Sequence, residues 1–345
     1  MWLYLVCFVA FHQCFCMGHQ LVKRETNTSM TCECSPKLSC SAKYQKVEGH
    51  TACLTKSAIA NSTALTAAEK TQIVDLHNTL RGQVTPAATD MLKLTWDDEL
   101  AMLAQHWSDA CRKDASGNYY HDSLRYIPGS LSVGQNMAWG HASFSDAIND
   151  WNSEKSNYVY GTELSSFDPN KPVGHYTQLV WANTSRIGCG FTLCGSDKFY
   201  VCNYAPAGNI MPFAQPYRSD GAKCSRCQTC FNGALCDCAN LVCENWSAMD
   251  VATCTCACKV AGIHVGATCK LSCLAPDPYY CGNNPGFTKD KCLSSFISSS
   301  CPHLCGICPC ADTSATFVPC KDGCHPLASG SVWIMLMLAW ILSLV

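Results

Sequence analysis

An α+β fold is expected for this chain of 345 residues, with one core-forming domain flanked by small disulfide-rich modules. The first reason is periodicity: helical patterns and short β runs are confined to the stretch from about Thr66 to Arg218. The second is the distribution of the 30 cysteines. Four fall between Cys32 and Cys53, four between Cys111 and Cys202, and 18 between Cys224 and Cys320. The sparse stretch is long enough to bury a core, whereas its flanks need covalent staples. So many cysteines also place the chain in an oxidising compartment, because the cytosol would keep them reduced. Charge excludes one function class: with 14% charged residues and a net charge of -2, there is no basic footprint for nucleic acid.

Within the core-forming stretch, Thr66-Ala67-Ala68-Glu69 is a capping box, and Ile73, Leu76 and Leu80 follow at helical spacing. This predicts a helix from Ala67 to Gln83, in a region that Pro86 ends. After the acidic turn Asp97-Asp98-Glu99, the residues Leu100, Leu103, Ala104, Trp107 and Cys111 share one face of a second helix. A third is expected from Ser145 to Tyr158, with Ile148, Trp151, Glu154, Lys155 and Tyr158 at helical steps. TQLVWA and FYVCNYA then read as strands, the first rich in branched and aromatic residues and the second alternating.

The ends read as sorting signals. Residues 1–18 carry the apolar run WLYLVCFVAF and small residues ending at Met17-Gly18, the pattern of a signal peptide. No Lys or Arg precedes that run, and Lys23-Arg24 offers an alternative dibasic processing site. From Val332 to Val345 the chain is apolar, short for a span, and followed by nothing basic. With residues 309–323 as tail and 324–345 as signal, attachment of glycosylphosphatidylinositol at Gly323 is expected, a short membrane anchor being the alternative. Removing the leader deletes Cys7, Cys14 and Cys16 and leaves an odd number of cysteines; cleavage at Gly323 removes Cys324 and makes it even.

Several motifs are specific enough to carry a family resemblance. GHYTQLVWANT (Gly174 to Thr184) and FYVCNYAPAGNI (Phe199 to Ile210) are preceded by HNTLR, LTWDDELA, HWSDAC, HDSLR, VGQN and WNSE in that order. The set resembles the CAP superfamily of cysteine-rich secretory proteins, antigen 5 proteins and plant pathogenesis-related class 1 proteins, over residues 66–218. The resemblance implies an α-β-α sandwich and a cleft lined by His121, Gln135, Glu154 and His175. Family members have an acidic residue where Gln135 stands, and an amide is no general base and a feeble ligand. The two imidazoles and Glu154 still form the two-His, one-carboxylate set that zinc accepts, so His121 and His175 are the candidate metal ligands. Read without the resemblance, each histidine is a satisfied core residue. Also implied are disulfides Cys111–Cys194 and Cys189–Cys202, and a lipid or sterol site near the loop holding Tyr158, Tyr160, Leu164 and Phe167, which reads equally as a covered surface loop.

Residues 25–60 are expected to form a short cysteine-rich segment. Residues 224–269 read as a cysteine-rich hinge plus a degenerate epidermal-growth-factor-like module (Cys243 to Cys269). The pairs at two-residue spacing could serve zinc, but secretion favours disulfides. Residues 273–308 resemble the six-cysteine frame of sea-anemone-toxin-like (ShKT) domains, without the cation that pore blockers place between the third and fourth cysteines. Sequons stand at Asn27, Asn61, Asn183 and Asn245. The leading functional expectation is a secreted or cell-surface binding protein, no enzyme, contacting an extracellular protein, a sterol or a lipid; the rival is a zinc-assisted hydrolase using His121, His175 and Glu154.

Overall fold

The computed structural model describes residues 40–162, 168, 170–210, 215–283 and 285–308. The leader, Asn27, Leu164, Phe167, the tail and the apolar C-terminal segment lie outside the described residues. In chain order the elements are α1 (Ala42–Gln45), β1 (Ala60–Asn61), α2 (Ala67–Gly82), β2 (Thr95–Trp96), α3 (Asp98–Ala110), β3 (Gly134–Trp139), α4 (Phe144–Ser153), α5 (Gly174–Leu179), β4 (Arg186–Cys194) and β5 (Asp197–Ala205). The strand pairs β6–β7 (Cys230–Phe231, Leu235–Cys236), β8–β9 (Ala248–Asp250, Thr255–Ala257) and β10–β11 (His264–Val265, Lys270–Leu271) follow, and then α6 (Ser295–Ser300). Among the described residues, no helix is long and apolar enough to cross a membrane.

The central sheet has the order β1-β4-β5-β3, with β2 parallel to β4. Alternation along β5 sends its side chains to two cores. Tyr200, Cys202 and Tyr204 join Ile73, Ile148, Trp151 and Leu179 from α2, α4 and α5. Phe199, Val201 and Ala205 face Leu100, Leu103, Ala104 and Trp107 of α3. The result is an α-β-α sandwich, and full burial of each leucine, isoleucine, valine or phenylalanine among these side chains contributes about 1.5–3 kcal/mol. Helix α3 lies so close to β4 that a Cβ on Gly188 would sit 2.1 Å from the Ala101 nitrogen, which is why a side chain is excluded there. The capping box at Thr66 and Glu69 starts α2, and Asp97 caps α3 by accepting the Glu99 and Leu100 N–H groups.

Several elements differ from expectation. Helix α4 stops at Ser153, and Glu154–Ser156 form a single 3₁₀ turn, so Lys155 and Tyr158 share no helical face with Trp151. TQLVWA is not a strand: Thr177, Gln178 and Leu179 belong to α5. Its β propensity is overridden from both ends. Glu154 accepts N–H groups of the first turn of the helix, and the buried Arg81 guanidinium takes the carbonyls of Leu179, its last residue, and of Trp181 and Thr184 beyond it. The amino-terminal segment is not a separate flank, because β1 pairs with β4, Ala60 opposite Cys194.

The described sulfurs pair as Cys40–Cys53, Cys111–Cys194 and Cys189–Cys202, and then as eight disulfides after residue 223. Cys243 to Cys269 is not closed on itself, since Cys254 bonds to Cys238 upstream. The whole span 224–269 does close, through Cys224–Cys230, Cys227–Cys236, Cys238–Cys254, Cys243–Cys256 and Cys258–Cys269. The next six cysteines pair first to last, second to fourth and third to fifth. Of the sequons, Asn61 is exposed and Asn183 half-buried. Asn245 is corrected as a glycan acceptor: it is buried, and its Nδ2, the atom a glycan would occupy, donates to the Cys269 carbonyl.

Candidate functional site

The cleft residues gather about β3, at one edge of the sheet. Adjacent residues of a strand point to opposite faces, so Gln135 and Asn136 serve different sides. Asn136 Nδ2 donates to the His175 carbonyl at 3.0 Å. Gln135 and Asn203 are register partners on β3 and β5, and their amides touch, Gln135 Nε2 donating to Asn203 Oδ1 at 3.1 Å.

Those two amides belong to a chain of fixed polarity. Asn203 Nδ2 donates to the Leu100 carbonyl, which can only accept. Gln135 Oε1 accepts the Asp122 main-chain N–H, which can only donate, at 3.1 Å. Both amide orientations are therefore determined. The same Oε1 lies 3.0 Å from His121 Nδ1, so the proton of a neutral His121 sits on Nδ1 and its Nε2 presents a lone pair. Burial holds His121 below the ordinary histidine range; the Gln135 bond opposes this, while Arg125 and His175 add to it by charge.

His175 is held by other means. Glu154, almost buried, accepts the main-chain N–H groups of His175 and Tyr176 on Oε2, at 2.8 and 3.1 Å. Its Oε1 lies 2.7 Å from His175 Nδ1. A carboxylate there fixes the imidazole as an Nδ1–H donor and again leaves Nε2. The Trp151 ring packs 6.2 Å from the imidazole.

The four expected residues thus form two dyads, His121 with Gln135 and Glu154 with His175. Glu154 is a supporting carboxylate rather than a third ligand in the zinc set, since both its oxygens are spent on α5 and His175. Among the described residues, the group of three or more His, Cys, Asp or Glu whose ligand atoms all lie within 4.8 Å of one another is Asp277, Cys281 and Cys301. Its two sulfurs are already joined to each other. The ring nitrogens that these two dyads leave unengaged by Gln135 and Glu154 are Nε2 of His121 and Nε2 of His175, and these are the atoms a divalent ion would have to use.

Sequence reasoning missed Asn203 and Asp122. Asn203 carried a signal, being the polar residue in the otherwise apolar run FYVCNYA. The two described aromatic residues of the loop after α4 serve the core: Tyr158 packs on Tyr176, and Tyr160 donates to the Tyr217 carbonyl.

Fold and site together define a disulfide-rich α-β-α protein with two histidine dyads, His121–Gln135 and Glu154–His175. Residues 74–204 match the family model described as the cysteine-rich secretory protein family, CAP. The chain is 38% identical over 288 residues to cysteine-rich venom protein Mr30 of Conus marmoreus, covering 79% of this chain and 91% of that one. It is 35% identical over 292 residues to a cysteine-rich venom protein of Conus textile, covering 78% and 90%. Among solved structures it is similar to Na-ASP-1, at 26% identity and a TM-score of 0.44, over 51% of this chain and 49% of that one. The chain belongs to the cysteine-rich secretory protein (CAP) family, and its named relatives are secretory and venom proteins rather than conventional enzymes.

Proposed function

We propose that this extracellular CAP protein works by binding, engaging another extracellular protein through its disulfide-rich modules, with zinc in the cleft as a structural ion. One observation carries the reading: the position where family members have a second carboxylate is held by Gln135, whose oxygen and nitrogen are both committed to neighbours. No base remains to activate water at that side of the cleft. Zinc bound by His121 and His175 would supply positive charge and Lewis acidity there. Contact with a protein is supported by Leu274 and Tyr279, 97% and 86% exposed in the modules. A sterol or lipid is the second ligand class, and the apolar run Val332 to Val345 supports lipid anchorage at the outer leaflet, releasable by a phosphatidylinositol-specific phospholipase.

The test is a panel of peptides and esters presented to the purified protein with and without zinc. No turnover is expected. Turnover that His175→Ala abolishes would replace binding by hydrolysis. In parallel, crosslinked capture from the extracellular fraction should fall when Leu274→Asp and Tyr279→Asp are combined.

A further inference from the structure

Helix α2 carries a stripe of small side chains, Ala67, Thr71, Val74, Asn78 and Gly82, at steps of three and four residues along its whole length of about 22 Å. They form one wall of an open groove of about 990 Å³. The other wall is Leu94 to Trp96 together with residues of the β6–β7 hairpin, so the sandwich and the first disulfide-rich module build it jointly. The hairpin presses on the Gly82 end: a Cβ there would lie 3.1 Å from the Ala234 Cβ, and Lys223 Nζ donates to the Gly82 carbonyl.

The second wall holds a strand edge that is only partly used. Strand β2 runs parallel to β4, and the Thr95 and Asp97 N–H groups donate to the Ser185 and Ile187 carbonyls on that side. Main-chain groups alternate in direction along a strand, so those of Leu94 and Trp96 point the other way. At Leu94 both are taken, since the Asn78 amide accepts its N–H at 2.8 Å and donates to its carbonyl at 2.9 Å. At Trp96, one pleat further on, neither has a hydrogen bond among the described residues.

The charges of the groove are unequally engaged. Lys70 is paired to Asp98 Oδ1 at 2.9 Å and Lys93 to Asp237 Oδ2 at 2.8 Å, and the two ammonium groups lie over the Trp96 and Phe231 rings. Trp96 Nε1 donates to the same Asp98 Oδ1. Asp98 Oδ2 and the exposed Asp75 carboxylate carry no such bond among the described residues, and both side chains line the groove.

We propose that this groove docks an extended peptide segment of another extracellular protein, which adds a strand to β2 at Trp96, lays apolar side chains against Trp96 and Phe231, and turns a lysine or arginine toward Asp75 and Asp98. At 3.3 Å per residue, the length of the groove takes about six or seven extended residues. The cations of the walls are already neutralised and the free groups are carboxylate oxygens, so the occupant is basic; an acidic one would meet them unpaired. Neither the histidine dyads nor Leu274 and Tyr279 take part, and the proposal stands apart from the binding surface described above.

The probe is a set of fluorescent heptapeptides in which valine alternates with arginine, titrated into the full chain and followed by anisotropy. Glutamate in place of arginine should weaken binding about tenfold, and so should methylation of alternate main-chain nitrogens, which keeps the side chains and removes donors. In amide nitrogen-15 spectra the Trp96 signal should move on titration while that of Leu94, held by Asn78, stays in place. Thr71→Arg, at an exposed position of α2, should fill the groove and abolish binding without lowering the melting temperature. Asp75→Asn should weaken binding about fivefold, whereas Glu48→Gln, which removes an exposed carboxylate outside the groove, should leave it unchanged. The proposal is overturned if the arginine peptides do not bind, if they bind Thr71→Arg undiminished, or if the glutamate or methylated peptides bind as well. A peptide that binds and leaves the Trp96 amide unmoved occupies another surface and overturns it too. Combining Leu274→Asp with Tyr279→Asp should leave peptide binding intact; its loss there would place the peptide on the exposed face of the modules and defeat this assignment.

Discussion

Residues 67–205 and residues 224–308 are neighbours in one chain, but their structures rest on different physics. The first region carries two disulfides, Cys111–Cys194 and Cys189–Cys202, and encloses two layers of fully buried side chains such as Trp151, Leu100 and Leu179. The second carries eight disulfides, and its strands are two or three residues long. A short strand pair is marginal in water unless something else holds it. Where packing is complete, a polar group can be buried on condition that it is fully bonded; where links are covalent, the polar groups can stay wet. The His121–Gln135 and Glu154–His175 dyads sit in the first region, beside β3 and α5 of the packed frame.

The comparison breaks most visibly under reduction. Replacing both Cys273 and Cys308 by Ser, which opens a bridge of sequence separation 35, should cost the last module about 4 kcal/mol and abolish its amide protection. Exchange of β3, β4 and β5 should be unchanged, and protection lost across both regions at once would mean that they fold as one unit. Next in size is Arg81→Met. The guanidinium is fully buried, lowered to about 9 by desolvation, and bonded to the carbonyls of Leu92, Leu179, Trp181 and Thr184. Its loss strands those carbonyls, and guanidinium-chloride unfolding should register about 3–5 kcal/mol in the sandwich.

Acid gives a smaller effect with a defined sign. Burial holds His77 down to about 4 against an ordinary 6.5, the Arg81 charge adding and the bond to the Ile73 carbonyl opposing. Between pH 6.5 and 4 the unfolded chain takes up a proton that the folded chain refuses. Stability is thus full above 6.5 and falls by roughly 3 kcal/mol as the pH drops to 4. His50 and His121 shift in the same direction, also by burial. In the modules His264 does so too, but the covalent links have no proton dependence. Urea midpoints measured from pH 7 to 4 should fall steeply for the tryptophan signal of the sandwich, and flatten in His77→Gln. Smallest is Gln135→Glu. An anion facing Asn203 Oδ1 should cost the metal-free protein about 1–2 kcal/mol, while zinc affinity rises roughly tenfold as His121 gains a carboxylate partner. Calorimetry showing no gain would mean that His121 is not a ligand.

How much of this was legible depended on the range of the signal. Helices α2 and α3 could be read because capping and periodicity are local: Thr66, Glu69 and Asp97 do in the structure what their spacing announces. Strand β3 and the helical state of Thr177–Leu179 could not, because Gln135 and Asn136 look like loop residues until a sheet edge buries them, and α5 depends on Glu154 and Arg81, remote in sequence. The His121–Gln135 and Glu154–His175 dyads join residues with no common periodicity, so only the resemblance brought them together. The bridge from Cys238 to Cys254 was illegible for a plainer reason: cysteine spacing permits many pairings and selects none.

The double duty of Glu154 has a consequence for assembly. One carboxylate starts α5 through the His175 and Tyr176 N–H groups and aims the His175 ring through its other oxygen. Helix initiation and imidazole alignment therefore depend on one side chain, and a substitution at Glu154 strikes both together. Any lesion at Glu154 should appear first as a defect in maturation and export, before a loss of binding could be measured.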